Sequence, residues 1–227
     1  MDTRQNLIAT AERLFAERGV DAVSMREINR AAGQGNASAL HYHFGSRDAL
    51  IEAIVGWRLQ PVNMRRHEML ETYARDGCRG GADRLTQCLI RPMSEVASCR
   101  LEENGWLCFL GQLYAGSKLD LPAIAQRLGC DSSLHLLTKE LRAAIPEVPR
   151  DVLDQRLAIC VRQAVQALAD WQGNVLQHKA GTRLCSLELF VENLVDMTAA
   201  ALTAAPSTRT LKARSESGRI SCLQMVG

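Results

Sequence analysis

Several signals that would assign the chain to a broad protein class are missing from its 227 residues. No run of 18 apolar residues occurs, so no membrane-spanning helix is expected. The N-terminal stretch MDTRQNLIAT lacks the basic and apolar regions of a secretory signal, and a cytoplasmic location is therefore expected. Apolar residues make up 47% of the chain, which is enough for a packed core and argues against general disorder.

A surplus of basic residues, common in nucleic-acid-binding proteins, is also missing. The formal net charge is only +2, and residues 1–60 carry seven basic and seven acidic side chains. Bulk electrostatics therefore gives no support to nucleic-acid binding, and any such function has to rest on local geometry.

Signatures of catalysis and metal binding are absent from the sequence as well. No GxSxG, P-loop or GxGxxG pattern occurs. His41 and His43 are two residues apart, so on a helix they point about 200° apart and do not chelate one metal ion. We therefore expect no enzyme activity, no cofactor and no metal site.

The cysteines do not form a CxxC pair, and their spacing is scattered. In a reducing compartment such residues are mostly small, buried apolar side chains. A thiol-based redox regulator stays open as an alternative, although no spacing singles out a reactive thiol. The eight cysteines lie at positions 78, 88, 99, 108, 130, 160, 185 and 222.

Helical periodicity dominates and the sustained alternation typical of strands is absent, so the predicted fold is all-α. A first helix is predicted from Thr3 to Arg18, with Asp2 as its cap, Gln5 as the reciprocal partner and Gly19 closing it. Its apolar side chains fall on one face, namely Leu7, Ile8, Ala11, Leu14 and Phe15.

The segment SMREINRAAGQGNASALHYHFGSRDAL, residues 24–50, is the most informative part of the chain. Ser24 and Glu27 form the Ser-x-x-Glu pattern of a capping box, which starts a second helix. A tight turn follows, and Asn36 is the candidate cap of a third helix over about residues 37–44. Two short helices across a tight turn can place the second of them in the major groove of DNA.

The rest of the chain is predicted to be helical as well. A long fourth helix follows, with a kink expected at Pro61, and Pro92 is expected to break or bend the helix after it. These helices are predicted at about 47–74, 82–99, 104–117, 121–129, 131–145, 150–173 and 184–204. The predicted organisation is a three-helix helix-turn-helix domain over 1–50, a helical domain over 51–205 and a disordered tail over 206–227.

The last two long helices carry wide apolar stripes that admit two interpretations. They form a four-helix interface between two copies of the chain, or they form the centre of a monomer. Met197 extends the second stripe onto an adjacent face, which leaves width for both a core and a partner. The predicted interface residues are Leu157, Val161 and Leu168 on the first helix and Leu187, Val191 and Leu194 on the second.

Residues 4–55 resemble the N-terminal domain of the tetracycline-repressor (TetR) family of one-component regulators. The resemblance is carried by AERLFAERGVDAVSMREINRAAG and by ALHYHFGSRDAL. Two features depart from the family pattern. The turn within QGNASALHYHF has one additional residue, and His41 stands where Tyr is frequent, with Tyr42 following. The register of the base contacts is therefore open by one residue.

The resemblance implies a homodimeric DNA-binding transcriptional regulator that responds to a ligand. The expected form is a repressor that a small apolar or amphipathic effector releases from a palindromic double-stranded operator. Residues 51–205 would bind the effector and form the dimer. The alternatives are a helical small-molecule or protein-binding module without DNA activity, and the redox regulator named above.

The third helix fits the role of recognition helix, with Asn36, Ala37 and Ser38 facing base edges. Other contacts would go to the phosphates. Tyr42 as a half-buried surface residue and His43 packed against the first helix remain the alternatives. The expected phosphate contacts are Ser24, Arg26, His41, Tyr42, His43 and Arg47.

Arg26 has two interpretations of equal standing. It reaches a phosphate, or it pairs with Glu27 or Asp48 as a surface ion pair.

An effector pocket between helices is expected to be mostly apolar, with a few polar anchors. Packing into the core is the competing interpretation of its candidate wall residues, because aromatic residues at helical spacing are usually core. These wall residues are Met93, Trp106, Phe109 and Tyr114.

Overall fold

The computed structural model describes residues 2–34, 38–75, 81–98, 105–116, 120–176 and 186–224. Within these ranges the regular structure consists of α-helices and no strand, which confirms the all-α fold. Among the described helices, none combines the length and the apolar content that crossing a bilayer requires. The helices are α1 Thr3–Arg18, α2 Met25–Ala31, α3 Ala39–Phe44, α4 Arg47–Arg75, α5 Ala82–Ser98, α6 Trp106–Gly116, α7 Leu121–Arg127, α8 Ser132–Ala144, α9 Arg150–Leu176, α10 Leu187–Thr203 and α11 Thr208–Gln224.

Helix α1 begins and ends where the sequence predicts. Its inward face is fully buried, since Leu7, Ala11 and Phe15 have no exposed surface. Gly19 closes the helix with a φ of 95°, a conformation that glycine adopts without strain. The predicted side-chain cap by Asp2 was wrong, because its carboxylate accepts no hydrogen bond from the first turn. Residues 2–5 are exposed, so water can satisfy those amides instead.

Helix α4 runs without interruption from the N-terminal helices into the rest of the molecule. The helix continues through Pro61 and passes the boundary predicted between residues 50 and 51. The guanidinium of Arg58 donates to both carboxylate oxygens of Glu12 at 2.6 and 2.7 Å, and Glu12 is buried on α1. This pair ties α1 to the linking helix, so the two halves share one continuous core.

Helix α5 is not broken at Pro92, although proline lacks the N–H that a helix interior needs. The missing donor is the one that would reach the carbonyl of Cys88, four residues earlier. Arg66 of α4 supplies it, because its Nε donates to that carbonyl at 2.9 Å. A second guanidinium nitrogen donates to Ser133 Oγ at 3.1 Å. Burial lowers the pKa of Arg66 to about 10, which still leaves the group charged at neutral pH.

Helix α6 lies between α1 and α9 and carries the aromatic centre of the core. Trp106 and Phe109 are fully buried, and the Phe109 ring stacks on Phe15 of α1 at 5.9 Å between centroids. Helices α9 and α10 pair antiparallel. Trp171 near the end of α9 meets Phe190 near the start of α10 at 6.3 Å.

The disordered tail predicted over 206–227 was wrong for residues 208–224, which form α11. Leu, Lys, Ala and Arg are good helix formers, and the amide of Thr210 donates to Ser207 Oγ at 3.3 Å at the start of the helix. Arg214 then pairs with Asp151 of α9 at 2.7 Å. Low hydrophobicity over residues 207–216 reflects their exposure to solvent and not a loss of helical structure.

Candidate nucleic-acid interface and effector region

The start of α2 is organised by the capping box that the sequence predicts. Both halves are present: the Glu27 amide donates to Ser24 Oγ at 3.3 Å, and the Ser24 amide donates to Glu27 Oε2 at 2.8 Å. The Ser24 hydroxyl also donates to Glu27 Oε2 at 2.7 Å. Its proton is therefore committed within the box, and a phosphate contact by Ser24 stays a prediction.

Replacing Ser24 with Ala is expected to destabilise the fold by about 1 kcal/mol at pH 7, the usual cost of a lost N-cap. The hydrogen bonds from Ser24 lower the pKa of Glu27 below its ordinary 4.5. Because the pKa of Glu27 is lower in the folded state than in the unfolded state, its ionised carboxylate stabilises the fold at pH values above the unfolded-state pKa. This stabilisation is lost as the pH falls through the folded-state pKa. Urea titrations at pH 7 and pH 3 should therefore show that S24A loses less unfolding free energy, relative to the unsubstituted protein, at pH 3 than at pH 7.

Ser186→Ala is the matched control for this measurement. Ser186 caps α10 by accepting from the Leu189 amide at 3.2 Å, and Leu189 at the third helical position has no carboxylate. Its substitution should cost a similar free energy that does not depend on pH in this range. If the loss of unfolding free energy depends on pH equally in the Ser24 and Ser186 variants, then the capping box does not couple the ionisation of Glu27 to the stability of the fold.

Helix α3 is held against α2 by a buried side chain. Asn29 Oδ1 accepts the backbone N–H of Leu40 at 3.3 Å, and both residues are buried. Asn6 of α1 donates to the Ala32 carbonyl at 2.9 Å, which secures the end of α2. These bonds set the angle between the two helices and leave the opposite side of α3 open to solvent.

The described part of α3 begins at Ala39, two residues later than predicted. Ser38 precedes it and is exposed, whereas Asn36 and Ala37, two of the predicted base-reading residues, lie outside the described residues. Any contact of these three side chains with bases stays a prediction.

The outward face of α3 is formed by the aromatic and histidine residues. Tyr42 is 84% exposed, so the half-buried alternative does not hold for it. His41 is exposed beside it, while His43 is partly buried and lies edge-on to the Tyr42 ring at 5.3 Å. A large aromatic side chain that stands this far into solvent is free to meet a partner surface.

Arg47 does not take the outward position that its predicted phosphate contact requires. Its guanidinium lies over the Phe15 ring at 5.5 Å and donates to the carbonyls of Val20 and Val23, the latter at 2.7 Å. The side chain thus closes the loop between α1 and α2 from inside. We assign Arg47 to the framework of the domain.

The even charge count of residues 1–60 hides an uneven distribution. Several cations are paired with acids: Arg13 with Glu17 at 3.1 Å, Arg18 with Glu27 at 3.6 Å and Arg58 with Glu12. These pairs neutralise three of the seven carboxylates in the segment. Sequence reasoning counted the charges but could not see which of them are paired.

The exposed cations outside these pairs lie on α1 and α2. Arg26 pairs with neither Glu27 nor Asp48, and Arg30 follows it one turn later, both exposed. Arg4 lies over the ring of Phe44, at the end of α3, at 5.1 Å from its centroid. Arg4 and Arg30 were missed by the sequence analysis, and the cation–π contact that places Arg4 beside α3 links residues 40 positions apart.

Cysteine chemistry finds no support in the described side chains. Burial raises the pKa of Cys88 and of Cys108 to about 11, and it also raises the pKa of Cys130 and of Cys160. A raised pKa keeps the thiol protonated and unreactive at neutral pH. The other four cysteine side chains lie outside what the structure describes. Within the described ranges, no three His, Cys, Asp or Glu side chains are grouped as a metal site.

The four predicted effector-wall residues are mostly core. Trp106 and Phe109 are fully buried with ring centroids 6.2 Å apart, and Met93 is 5% exposed. Tyr114 is partly buried, with the guanidinium of Arg162 over its ring at 5.8 Å. This arrangement favours the core interpretation for Trp106 and Phe109, and an effector role for the four stays a prediction.

The predicted dimer residues lie mainly on the face that packs within one chain. Leu157, Leu168, Val191 and Leu194 are buried, and Val161 and Leu187 are partly buried. The most exposed large apolar side chains of α9 and α10 are different ones, namely Ile159, Leu189 and Met197, which are 55–63% exposed. Within one chain the predicted interface residues therefore fit the core interpretation, and their role in a dimer stays a prediction.

Comparisons with known proteins agree with this geometry. Residues 7–54, which include most of α1 and all of α2 and α3, match the family model for bacterial regulatory proteins of the tetR family. The HTH-type transcriptional regulator AcrR of Shigella flexneri is 26% identical over 180 residues, which cover 74% of this chain and 77% of that protein.

Two solved structures share the fold. A protein assigned to the tetR family from Shewanella sp. PV-4 matches with a TM-score of 0.60 at 15% identity, over 88% of this chain and 98% of that one. PfmR from Thermus thermophilus, a TetR family transcriptional regulator, matches with a TM-score of 0.55 at 16% identity, over 91% and 98%. With its capped α2 and its exposed α3, the N-terminal segment is similar to the bacterial regulatory proteins of the tetR family, and the fold of the two solved structures extends that similarity over most of the chain.

Proposed function

We propose that this protein is a cytoplasmic, homodimeric repressor that binds a palindromic operator and leaves it when a small apolar or amphipathic effector binds. The observation that carries the proposal is α3, a short helix fixed to α2 by Asn29 and presenting Tyr42 to solvent. Two such helices in a dimer would enter successive major grooves, about 34 Å apart.

On DNA, the start of α3 would face base edges through Asn36, Ala37 and Ser38. His41 and Tyr42 would contact the flanking backbone. We retain Arg26 among the phosphate contacts and add Arg4 and Arg30, because all three arginines are exposed around α2 and α3. Few cations contribute per subunit, so the affinity should depend on salt less steeply than in strongly basic DNA-binding proteins.

Coupling between effector and operator would pass through α6. At the start of α6, the amides of Leu107 and Cys108 donate to Gln172 Oε1 of α9 at 3.0 and 3.1 Å. Further along, Gln112 Nε2 donates to the Ala16 carbonyl in the last turn of α1 at 3.0 Å. Side chains thus connect α9 to α6 and α6 to the DNA-binding helices.

The seam between α1 and α6 is also tight. A Cβ at Gly105 would overlap the Cβ of Ala16, so the two backbones approach as closely as glycine permits. Packed interfaces of this kind move as units and are not easily deformed. An effector that favours a different position of α6 would therefore shift α1 and lower the affinity for the operator.

The dimer is proposed to use the exposed apolar face of α9 and α10. Replacing Leu189 and Met197 together with Glu should weaken dimerisation about 100-fold or more, because each charge would be buried without a partner. Sedimentation equilibrium measures this directly. Lys139→Glu on the exposed side of α8 is the control and should leave the dimer intact. If the double variant dimerises with unchanged affinity, the dimer interface does not include Leu189 and Met197.

Gel-shift titration with the DNA that flanks the gene of this protein tests the proposed function. Saturable binding by a dimer, with competition by the same sequence and not by scrambled DNA, is expected. A folded dimer without sequence-selective binding would instead support a helical binding module that lacks DNA activity. A thermal-shift screen of small molecules then identifies the effector, since a ligand stabilises the folded state by mass action.

A further inference from the structure

A cleft of about 510 Å³ opens where α1, α6 and α9 meet, away from the aromatic core. Its floor consists of small residues such as Ala169 and Gly173. Its rim carries the polar side chains of Gln112, Gln166 and Asp170. A volume of this size is typical of small-molecule sites, but a polar rim over a glycine and alanine floor does not suit an apolar effector.

The electrostatic character of the cleft is one-sided. No Lys, Arg or His is among its lining residues, whereas Asp170 contributes a carboxylate. Gln166 Nε2 donates to Asp170 Oδ1 at 3.0 Å, which holds that carboxylate at the rim. The pKa of Cys108 on the floor is raised by burial first and then by the charge of Asp170, so the negative potential extends into the cleft.

A buried acceptor also lacks a donor here. Gln112 Nε2 is bound to the Ala16 carbonyl, but no described residue donates to its buried Oε1. An unsatisfied buried carbonyl oxygen is costly unless a ligand or a water satisfies it. The amide of Asn174 adds another polar group to the lining. The cleft therefore offers oxygen acceptors and one negative charge.

We infer that this cleft is a second ligand site, separate from the proposed effector pocket, and that it takes a small organic amine. A protonated amine supplies a positive charge opposite the Asp170 carboxylate and N–H donors for the exposed side-chain carbonyl oxygens of Gln166 and Asn174. The methylene groups of such a ligand would lie on the floor at Gly173.

Isothermal calorimetry of the 227-residue chain tests the site without DNA. The probe is 1,4-diaminobutane, compared with 1,4-butanediol as the neutral analogue and succinate as the dianion. Asp170→Asn removes the charge, and Gly173→Leu fills the floor. A Cβ at Gly173 meets only Cys108 Sγ at an ordinary 3.8 Å, so the added atoms should extend into the open cleft. Asp196→Asn, on the exposed side of α10, is the matched charge control.

The expected result is that the diamine binds at least about tenfold more tightly than the diol and that succinate does not bind. Asp170→Asn should weaken diamine binding about tenfold or more, Gly173→Leu should abolish it, and Asp196→Asn should leave it unchanged. If the diamine produces no heat of binding, or if the D170N and D196N variants bind it with equal affinity, the proposed amine site is refuted. A far-UV CD melt shows that each variant is folded.

An effect of the amine on operator affinity would rest on the proposed function, through Gln112 and the last turn of α1. Gel shifts with and without 1,4-diaminobutane measure it. If no DNA binds at all, the proposed function fails while calorimetry still decides the site. The two failures are therefore distinguishable.

Discussion

The Arg66→Met variant is expected to lose about 3 kcal/mol of unfolding free energy, because two buried polar groups lose their partner at about 1–3 kcal/mol each. These groups are the Cys88 carbonyl, left without a helical donor by Pro92, and the Ser133 hydroxyl. Met keeps much of the side-chain volume, so the loss reports mainly on hydrogen bonding. Urea denaturation at fixed protein concentration measures it, since the proposed dimerisation would contribute to apparent stability.

A second substitution separates this explanation from general damage to the core. Pro92→Ala restores the N–H that a helix interior supplies to the carbonyl four residues earlier. In the Arg66→Met background it should recover about 1 kcal/mol or more, which a double-mutant cycle detects as coupling between the two positions.

Arg65→Met is the matched control for Arg66. Arg65 is adjacent in sequence but half exposed, and it pairs with Glu95 at 2.7 Å on the surface. An exposed pair of this kind contributes under about 1 kcal/mol. Equal losses from the two arginines, or strictly additive effects of Arg66 and Pro92, would refute the assignment of Arg66 as the donor for α5.

The second large effect is expected on DNA binding. Replacing both His41 and Tyr42 with Ala should weaken operator binding about 100-fold or more, since each lost hydrogen bond to a charged phosphate is worth about 1.5–3 kcal/mol. Both side chains are exposed on α3, so stability and the dimer should change little. Fluorescence anisotropy with labelled operator DNA measures the affinity, and sedimentation checks the dimer.

His135→Ala provides the comparison for that double variant. His135 is an exposed histidine on α8, far along the chain from the DNA-binding helices, and its loss should not change the affinity. Operator binding that survives in the His41 and Tyr42 variant would exclude α3 as the recognition helix. Binding that falls equally in the His135 variant would point to a nonspecific cause.

Local features of the chain were predictable because they depend on neighbours in sequence. The capping box at Ser24 and Glu27 needs residues three apart, and the helix ending at Gly19 needs a backbone that glycine accepts. The apolar face of α1 follows from its 3.6-residue period. Such signals gave most helix bounds within a few residues and led to the family through residues 4–55.

Features that join distant residues were not predictable from pattern. Arg47 has the position of a surface phosphate contact, but the carbonyls of Val20 and Val23 turn it inward. Pro92 indicated a break or a bend in α5, yet the helix is continuous, and Arg66, 26 residues earlier, supplies the missing donor. In both cases a long side chain from another helix satisfies a backbone group, and that interaction exists only after the helices have packed.

The helical character of the chain, the bounds of most helices and the helix-turn-helix arrangement of the N-terminal segment follow from local patterns in the sequence. Which apolar stripe of α9 and α10 faces the core depends instead on packing, and in the folded chain Leu189 and Met197 are left in solvent. The physical reason is that periodicity defines a helix face but not its neighbour. The neighbour is set by the packing of elements that lie far apart in the chain.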